Sequence, residues 1–249
     1  MTSLPIALQL YTVRDETARD FSGTLRQVAA LGYDAVECAG YGDLSVTELR
    51  TLLAELGLQA PSSHCVGLDM PKEKLVAELT FARELGCAYA VLPWLGPERF
   101  TQTPFSTLVK EFAALGQLSQ EAGLQLVYHN HDYSFARRED SHLLLDDLLA
   151  ALDPALLALE LDVYWAAYAG IDPVAYLHQH AGRVPLVHLK DMDAERAMIE
   201  VGDGILDIAT IIAAGQEAGA RWLIVEHDHP TLPALESARR SLQNLRTRF

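Results

Sequence analysis

Short apolar runs alternate along this chain with longer segments whose apolar residues recur at helical spacing. The runs predict strands at residues 6–11, 34–39, 59–65, 89–94, 124–131, 157–163, 185–190 and 222–227. Helices are expected at 21–31, 46–56, 72–85, 105–122, 141–152, 173–181, 205–218 and 232–245. Gly32, Gly57, Gly86, Gly123, Gly182 and Gly219 each follow a helical segment and precede a strand, the place for a left-handed helix stop. Eight strand–helix units in 249 residues predict a (β/α)8 TIM barrel, an α/β fold forming a single domain over residues 1–249. An open doubly wound sheet would carry a glycine-rich turn after its first strand, and LQLYTVRDET has no glycine.

Parity along the strands sorts side chains between barrel interior and helix layer. In the sixth strand Leu157, Leu159 and Leu161 face the helices, and Ala158, Glu160 and Asp162 face inward. In the eighth, Leu223 and Val225 face out while Ile224 and Glu226 face in. In LQLVYHNHD, His129 and His131 share one face. The inward positions at the C-terminal strand ends are thus Gln9, Tyr11, Glu37, His64, Trp94, His129, His131, Asp162, His188, Lys190 and Glu226. That mouth is where barrel enzymes hold their chemistry. Glu37 and His64 have an ordinary reading as hydrogen-bonded structural groups, and Lys190 with Asp191 as a local ion pair.

His129, Asp162, His188 and Glu226 form a different case. Imidazoles and carboxylates facing one another out of water must pair or bind a cation. Mixed nitrogen and oxygen donors suit Mn²⁺, Zn²⁺, Co²⁺ or Fe²⁺ better than Mg²⁺ or Ca²⁺.

The net charge of −15 argues against nucleic acid or an anionic membrane as partner. With no signal-like N-terminus and no long apolar span, a cytoplasmic protein is expected, as a monomer or homodimer acting on a small molecule. Cys38, Cys65 and Cys87 lack paired spacing and read as buried apolar residues.

The motifs LQLYTVRD, GYDAVE, SSH, YHNHDYSF, LELDVYWAAYAG, VHLKDMD, VGDGILD and IVEHDHP, in this order, resemble the xylose isomerase-like TIM barrels, the sugar phosphate isomerase/epimerase family. The branch that includes inosose dehydratase-like proteins is the most similar, and endonuclease IV is a distant relative. The resemblance implies a metal held by residues ending strands five to eight, which fall on His129, Asp162, His188 and Glu226. One departure is that His129 stands where the ketose epimerases place a Glu that doubles as acid/base. One extra metal-binding His of the endonucleases falls on Trp165.

These readings together predict a metal-dependent isomerase or epimerase that abstracts a proton beside the carbonyl of a keto-sugar, polyol-derived or inositol-derived substrate. Glu226, Glu37, His131 and Lys190 are the candidates for proton transfer. Gln9, Tyr11, His64, Trp94 and Trp165 would contact the substrate, which is expected to lack a phosphate. One alternative is a dehydratase working by β-elimination. Another is a sugar-binding barrel without catalysis.

Overall fold

The computed structural model of the chain describes residues 4–137 and 142–249. In chain order the strands are β1 (Ile6–Gln9), β2 (Ala35–Glu37), β3 (Ser62–His64), β4 (Tyr89–Leu92), β5 (Gln125–His129), β6 (Ala158–Asp162), β7 (Leu186–Leu189), β8 (Asp191–Met192), β9 (Met198–Ile199) and β10 (Trp222–Val225). Eight of them form one parallel sheet in the order β2-β1-β10-β7-β6-β5-β4-β3, while β8 and β9 pair as a separate hairpin. The edges β2 and β3 meet through parallel bridges at Ala35–Gln59 and Cys38–Ser63, closing the sheet into a barrel by a sparser ladder.

Ala7, Ala35, Val91, Val127, Ala158, Leu186 and Ile224 form a separate apolar cluster, drawn from alternate positions of seven strands. Their strand neighbours Leu8, Val36, Leu126, Leu159, Val187 and Val225 belong to the larger core shared with the helices. This is the alternation that parity predicts for a barrel. One step further toward the C-terminal ends the inward positions become polar. Register places Gln9 beside Glu37, His129 beside Glu160, and Asp162 beside His188.

Several strands stop earlier than the apolar pattern predicts, because polar side chains turn the backbone away. The Gln9 side chain accepts from the Tyr11 amide at 2.9 Å and starts a 3-10 turn over Leu10–Val13. Beyond β5, the Asn130 side chain brackets Asp162, accepting from its amide at 2.9 Å and donating to its carbonyl at 3.2 Å. Asp162 in turn caps a short helix, Val163–Tyr168, that sequence pattern did not anticipate. Arg14–Arg19 and Pro97–Gln102 are further unanticipated short helices, the second with proline in its first turn. The helix expected over 141–152 is observed as Leu144–Ala151, and Ser141 lies outside the described residues.

Asp191 is not Lys190's partner. Its buried carboxylate accepts from the amides of Met192, Gly202, Gly204 and Leu206 at 2.8–3.1 Å, which pins the chain after the β8–β9 hairpin to the barrel top. A Cβ at residue 204 would sit 2.2 Å from Asp191 Oδ1, so the approach admits only glycine. Gly32 closes the helix Phe21–Leu31 at φ 100° in the left-handed conformation its place in the sequence predicts.

All three cysteines are free and buried. Burial raises the Cys38 thiol well above its ordinary range and lifts Cys65 and Cys87 to about 12. The folded protein is therefore expected to give no fast reaction with a thiol reagent at pH 8, and three equivalents after unfolding. A fast equivalent in the native state would contradict this packing. Among the described residues no helix is long and apolar enough to cross a membrane.

Candidate functional site

The C-terminal mouth of the barrel opens into a cleft of about 540 Å³. Its lining includes Tyr11, His64, Trp94, His129, His131, Trp165, Lys190 and Glu226 from the sequence-derived set, joined by Ala39, Pro93, Asp132, Asp228 and His229. Trp94 and Tyr11 are 56% and 43% exposed, large apolar surfaces left facing the cleft. His131 stands between the indoles, 4.7 Å from the Trp94 ring and 5.5 Å from that of Trp165. The walls are thus aromatic and the floor ionic.

A continuous buried network forms this floor and the layer beneath it. His129, Asp162, His188 and Glu226 each offer one donor atom within 4.8 Å of the others, and all four are buried. A second set, His64, His129, Glu160 and His188, meets the same criterion and shares two histidines with the first. Gln9, expected to contact substrate, and Glu37, expected among the proton-transfer candidates, are fully buried and are not among the residues lining the cleft. Gln9 Nε2 donates to Glu37 Oε2 at 2.7 Å, so these residues sit one layer deeper.

Lys190 occupies the centre of the floor, 1% exposed, with Nζ 2.7 Å from Glu226 Oε2, 2.8 Å from Asp228 Oδ1 and 3.0 Å from Asp162 Oδ2. Burial opposes its charge, yet Asp162, Glu226 and Asp228 outweigh that and raise its pKa well above the ordinary lysine value. Its resting state is therefore the ammonium, which can hold negative charge or give a proton to a far stronger base such as a departing hydroxide, rather than act as a base itself. Glu226, despite burial, is held well below the usual carboxylate range by Lys190 and His188, so it is ionised. Burial, with Lys190 nearby, lowers His131 to about 3 and leaves it neutral. His129 is likewise lowered by burial and by His188. Burial would also lower His64, but Glu37 and Glu160 raise it to about 10.

Asp162 Oδ2, Glu37 Oε1, Glu160 Oε1, His131 Nδ1 and Trp165 Nε1 are buried without a hydrogen-bond partner. Asp162 Oδ2 lies near Lys190 but outside hydrogen-bonding geometry, while Oδ1 accepts from the Trp165 amide at 3.0 Å as the helix cap. One carboxylate oxygen serves the fold and the other keeps a free lone pair. A divalent cation meeting two imidazole nitrogens and two carboxylate oxygens fits this set.

A family model described as xylose isomerase-like TIM barrel matches residues 25–248. The chain belongs to this family. An inosose dehydratase of Geobacillus kaustophilus is 29% identical over 243 residues, covering 81% of this chain and 78% of that one. Among solved structures of the same fold, a sugar phosphate isomerase/epimerase of Parabacteroides distasonis superimposes with a TM-score of 0.82 at 24% identity, covering 100% of this chain and 95% of its own. The IOLI protein, whose structure binds a zinc atom, superimposes with a TM-score of 0.72 at 14% identity, over 97% of this chain and 96% of that one.

Sequence reasoning placed Glu160 on the inward face without giving it a role, and it passed over His229 and Asp228 as cleft residues. The inward parity of Glu160 was the available signal. Asp228 and His229 lie beyond the end of β10, where alternation no longer says which way a side chain points. Arg14 stands at the rim of the mouth, with its guanidinium 4.4 Å from the Tyr11 ring and 3.5 Å from His229 Nδ1.

Proposed function

We propose that this protein is a divalent-metal-dependent hydro-lyase that dehydrates a keto-cyclitol or closely related keto-sugar. The observation that carries this reading is the convergence of His129, Asp162, His188 and Glu226 on one small volume under an aromatic-walled cleft, with Asp162 Oδ2 unsatisfied. The four would hold Mn²⁺, Zn²⁺, Co²⁺ or Fe²⁺, whose softer chemistry suits imidazole better than that of Mg²⁺. The zinc of the IOLI structure and the dehydratase name of the Geobacillus relative support the same reading. The zinc bears on the metal alone, and the dehydratase name favours β-elimination over the isomerisation or epimerisation that the family resemblance first suggests. His129 in place of a second carboxylate points the same way, because one-sided acid and base groups suffice for elimination.

A bound divalent ion would supply Lewis acidity, making the C–H beside the substrate carbonyl more acidic. Ionised Glu226 accepts that proton. The C–H electron pair becomes the C=C bond and the β C–O bond breaks. Lys190 gives the departing hydroxyl its proton, so it leaves as water. The proton on Glu226 then returns to Lys190 across their 2.7 Å contact, restoring both groups. Because acid and base touch, hydrogen and hydroxyl are lost from one face of the ring. His131 and the indoles orient that ring, and water is displaced from the aromatic walls. Among the cleft-lining residues Lys190 is the one Lys or Arg, and its charge is already matched by three carboxylates, so the substrate is unphosphorylated.

The test is incubation of the metal-loaded protein with inososes and other keto-sugars in D₂O. Metal-dependent growth of conjugated-enone absorbance, abolished by chelator, is the expected result. Exchange of the C–H with a rearranged sugar and no enone would return the reading to isomerisation or epimerisation. Binding without exchange would leave a sugar-binding barrel.

A further inference from the structure

Each histidine of the proposed metal set has a second ring nitrogen, and each second nitrogen meets a buried carboxylate. His129 Nδ1 lies 2.8 Å from Glu160 Oε2, while its Nε2 is 3.5 Å from Asp162 Oδ2. His188 Nε2 lies 2.7 Å from Glu37 Oε2 and 3.2 Å from Glu160 Oε2, while its Nδ1 is 2.9 Å from Glu226 Oε2. His64 Nε2 bridges the two inner carboxylates at 3.0 Å from each. Glu37 and Glu160 are 0% exposed and neither lines the cleft, so substrate contact does not account for them. Burying two carboxylates has a large desolvation cost that needs a partner to offset it.

We propose that Glu160 and Glu37 are positioning residues for a metal ion bound one layer above them. Glu160 accepts the Nδ1 proton of His129 and turns Nε2 toward the ion, and Glu37 accepts the Nε2 proton of His188 and turns Nδ1 toward it. A carboxylate behind a ligating imidazole fixes its tautomer and increases its basicity. A neutral imidazole brings no charge of its own, and Glu160 stands behind it to supply negative charge through the hydrogen bond. The inference rests on the metal reading above and adds which ring nitrogen binds and what holds it there.

Two measurements test it without reference to turnover. Long-range ¹H–¹⁵N correlation spectra of the Zn²⁺-loaded parent are expected to give His129 protonated at Nδ1 and metal-bound at Nε2, and His188 the reverse. Metal on His129 Nδ1 and His188 Nε2 would instead seat the ion in the inner set with His64 and Glu160 and overturn the proposal. Direct Zn²⁺ titration of Glu160→Gln is expected to give affinity weaker by about 10- to 100-fold. In a His129→Glu background the same substitution is expected to cost much less, since no imidazole then remains for Glu160 to orient. This coupling between the two positions is one that a purely structural role does not produce. Parent-like affinity in a folded Glu160→Gln protein would overturn the inference alone. Should that variant fail to fold, Glu160→Asp, which keeps the charge, and the spectra of the parent decide it. If the parent itself binds no divalent ion, the metal reading fails first and this inference falls with it.

Discussion

Lys190→Met is expected to separate metal binding from turnover, moving them in opposite directions. Its ammonium lies 2.7 Å from Glu226 Oε2 and 3.0 Å from Asp162 Oδ2, both assigned to the metal set, so it competes with a cation for those oxygens. Removing it is expected to tighten divalent-metal affinity by about tenfold or more. Turnover, deprived of the acid that protonates the departing hydroxyl, is expected to fall about a thousandfold. Without metal, the variant leaves Asp162, Glu226 and Asp228 without their shared cation, a loss of about 3–5 kcal/mol that added metal should restore. Isothermal titration, steady-state rates and melting with and without Zn²⁺ read the three effects. Weaker metal binding in Lys190→Met would contradict the assignment of these oxygens.

Asp162→Asn is expected to remove the metal while keeping the fold. The two carboxylate oxygens have separate tasks, Oδ1 capping the helix Val163–Tyr168 and Oδ2 facing His129 and Lys190. Asparagine caps a helix as well as aspartate does, so the cap survives, whereas alanine would lose about 1 kcal/mol there. The missing charge is expected to lower metal affinity by on the order of a hundredfold or more and to abolish enone formation. Plasma mass spectrometry on protein purified without chelator, beside a melting curve, checks both halves. A fully metallated Asp162→Asn protein would move the ion to the inner set.

The fold was legible because its signals are local. Period-two alternation separated Ala158 and Ile224, inside the barrel, from Leu159 and Val225 against the helices, and glycines such as Gly32 marked the helix ends. The strand ends were less legible. Gln9, Asn130 and Asp162 look like strand residues in an apolar window, yet each uses its side chain to redirect the backbone, by bonds to Tyr11, Asp162 and Trp165 respectively. The bonds of Gln9 and Asp162 compete with the ladder locally, over two and three residues, whereas that of Asn130 depends on a partner 32 residues away.

The sequence by itself determined which residues face the barrel interior near its mouth, since parity along a strand needs no knowledge of neighbouring strands. Depth and pairing were decided by the tertiary structure. How far each strand is staggered against the next sets whether an inward residue reaches the cleft or is covered by the layer above, and that stagger is a property of the closed barrel. It put Gln9, Glu37 and Glu160 below the floor and His131 and Trp94 on the walls, and drew Asp228 from beyond β10 onto Lys190. It also turned one nitrogen of His129 and of His188 toward the inner carboxylates, leaving the other for the outer set.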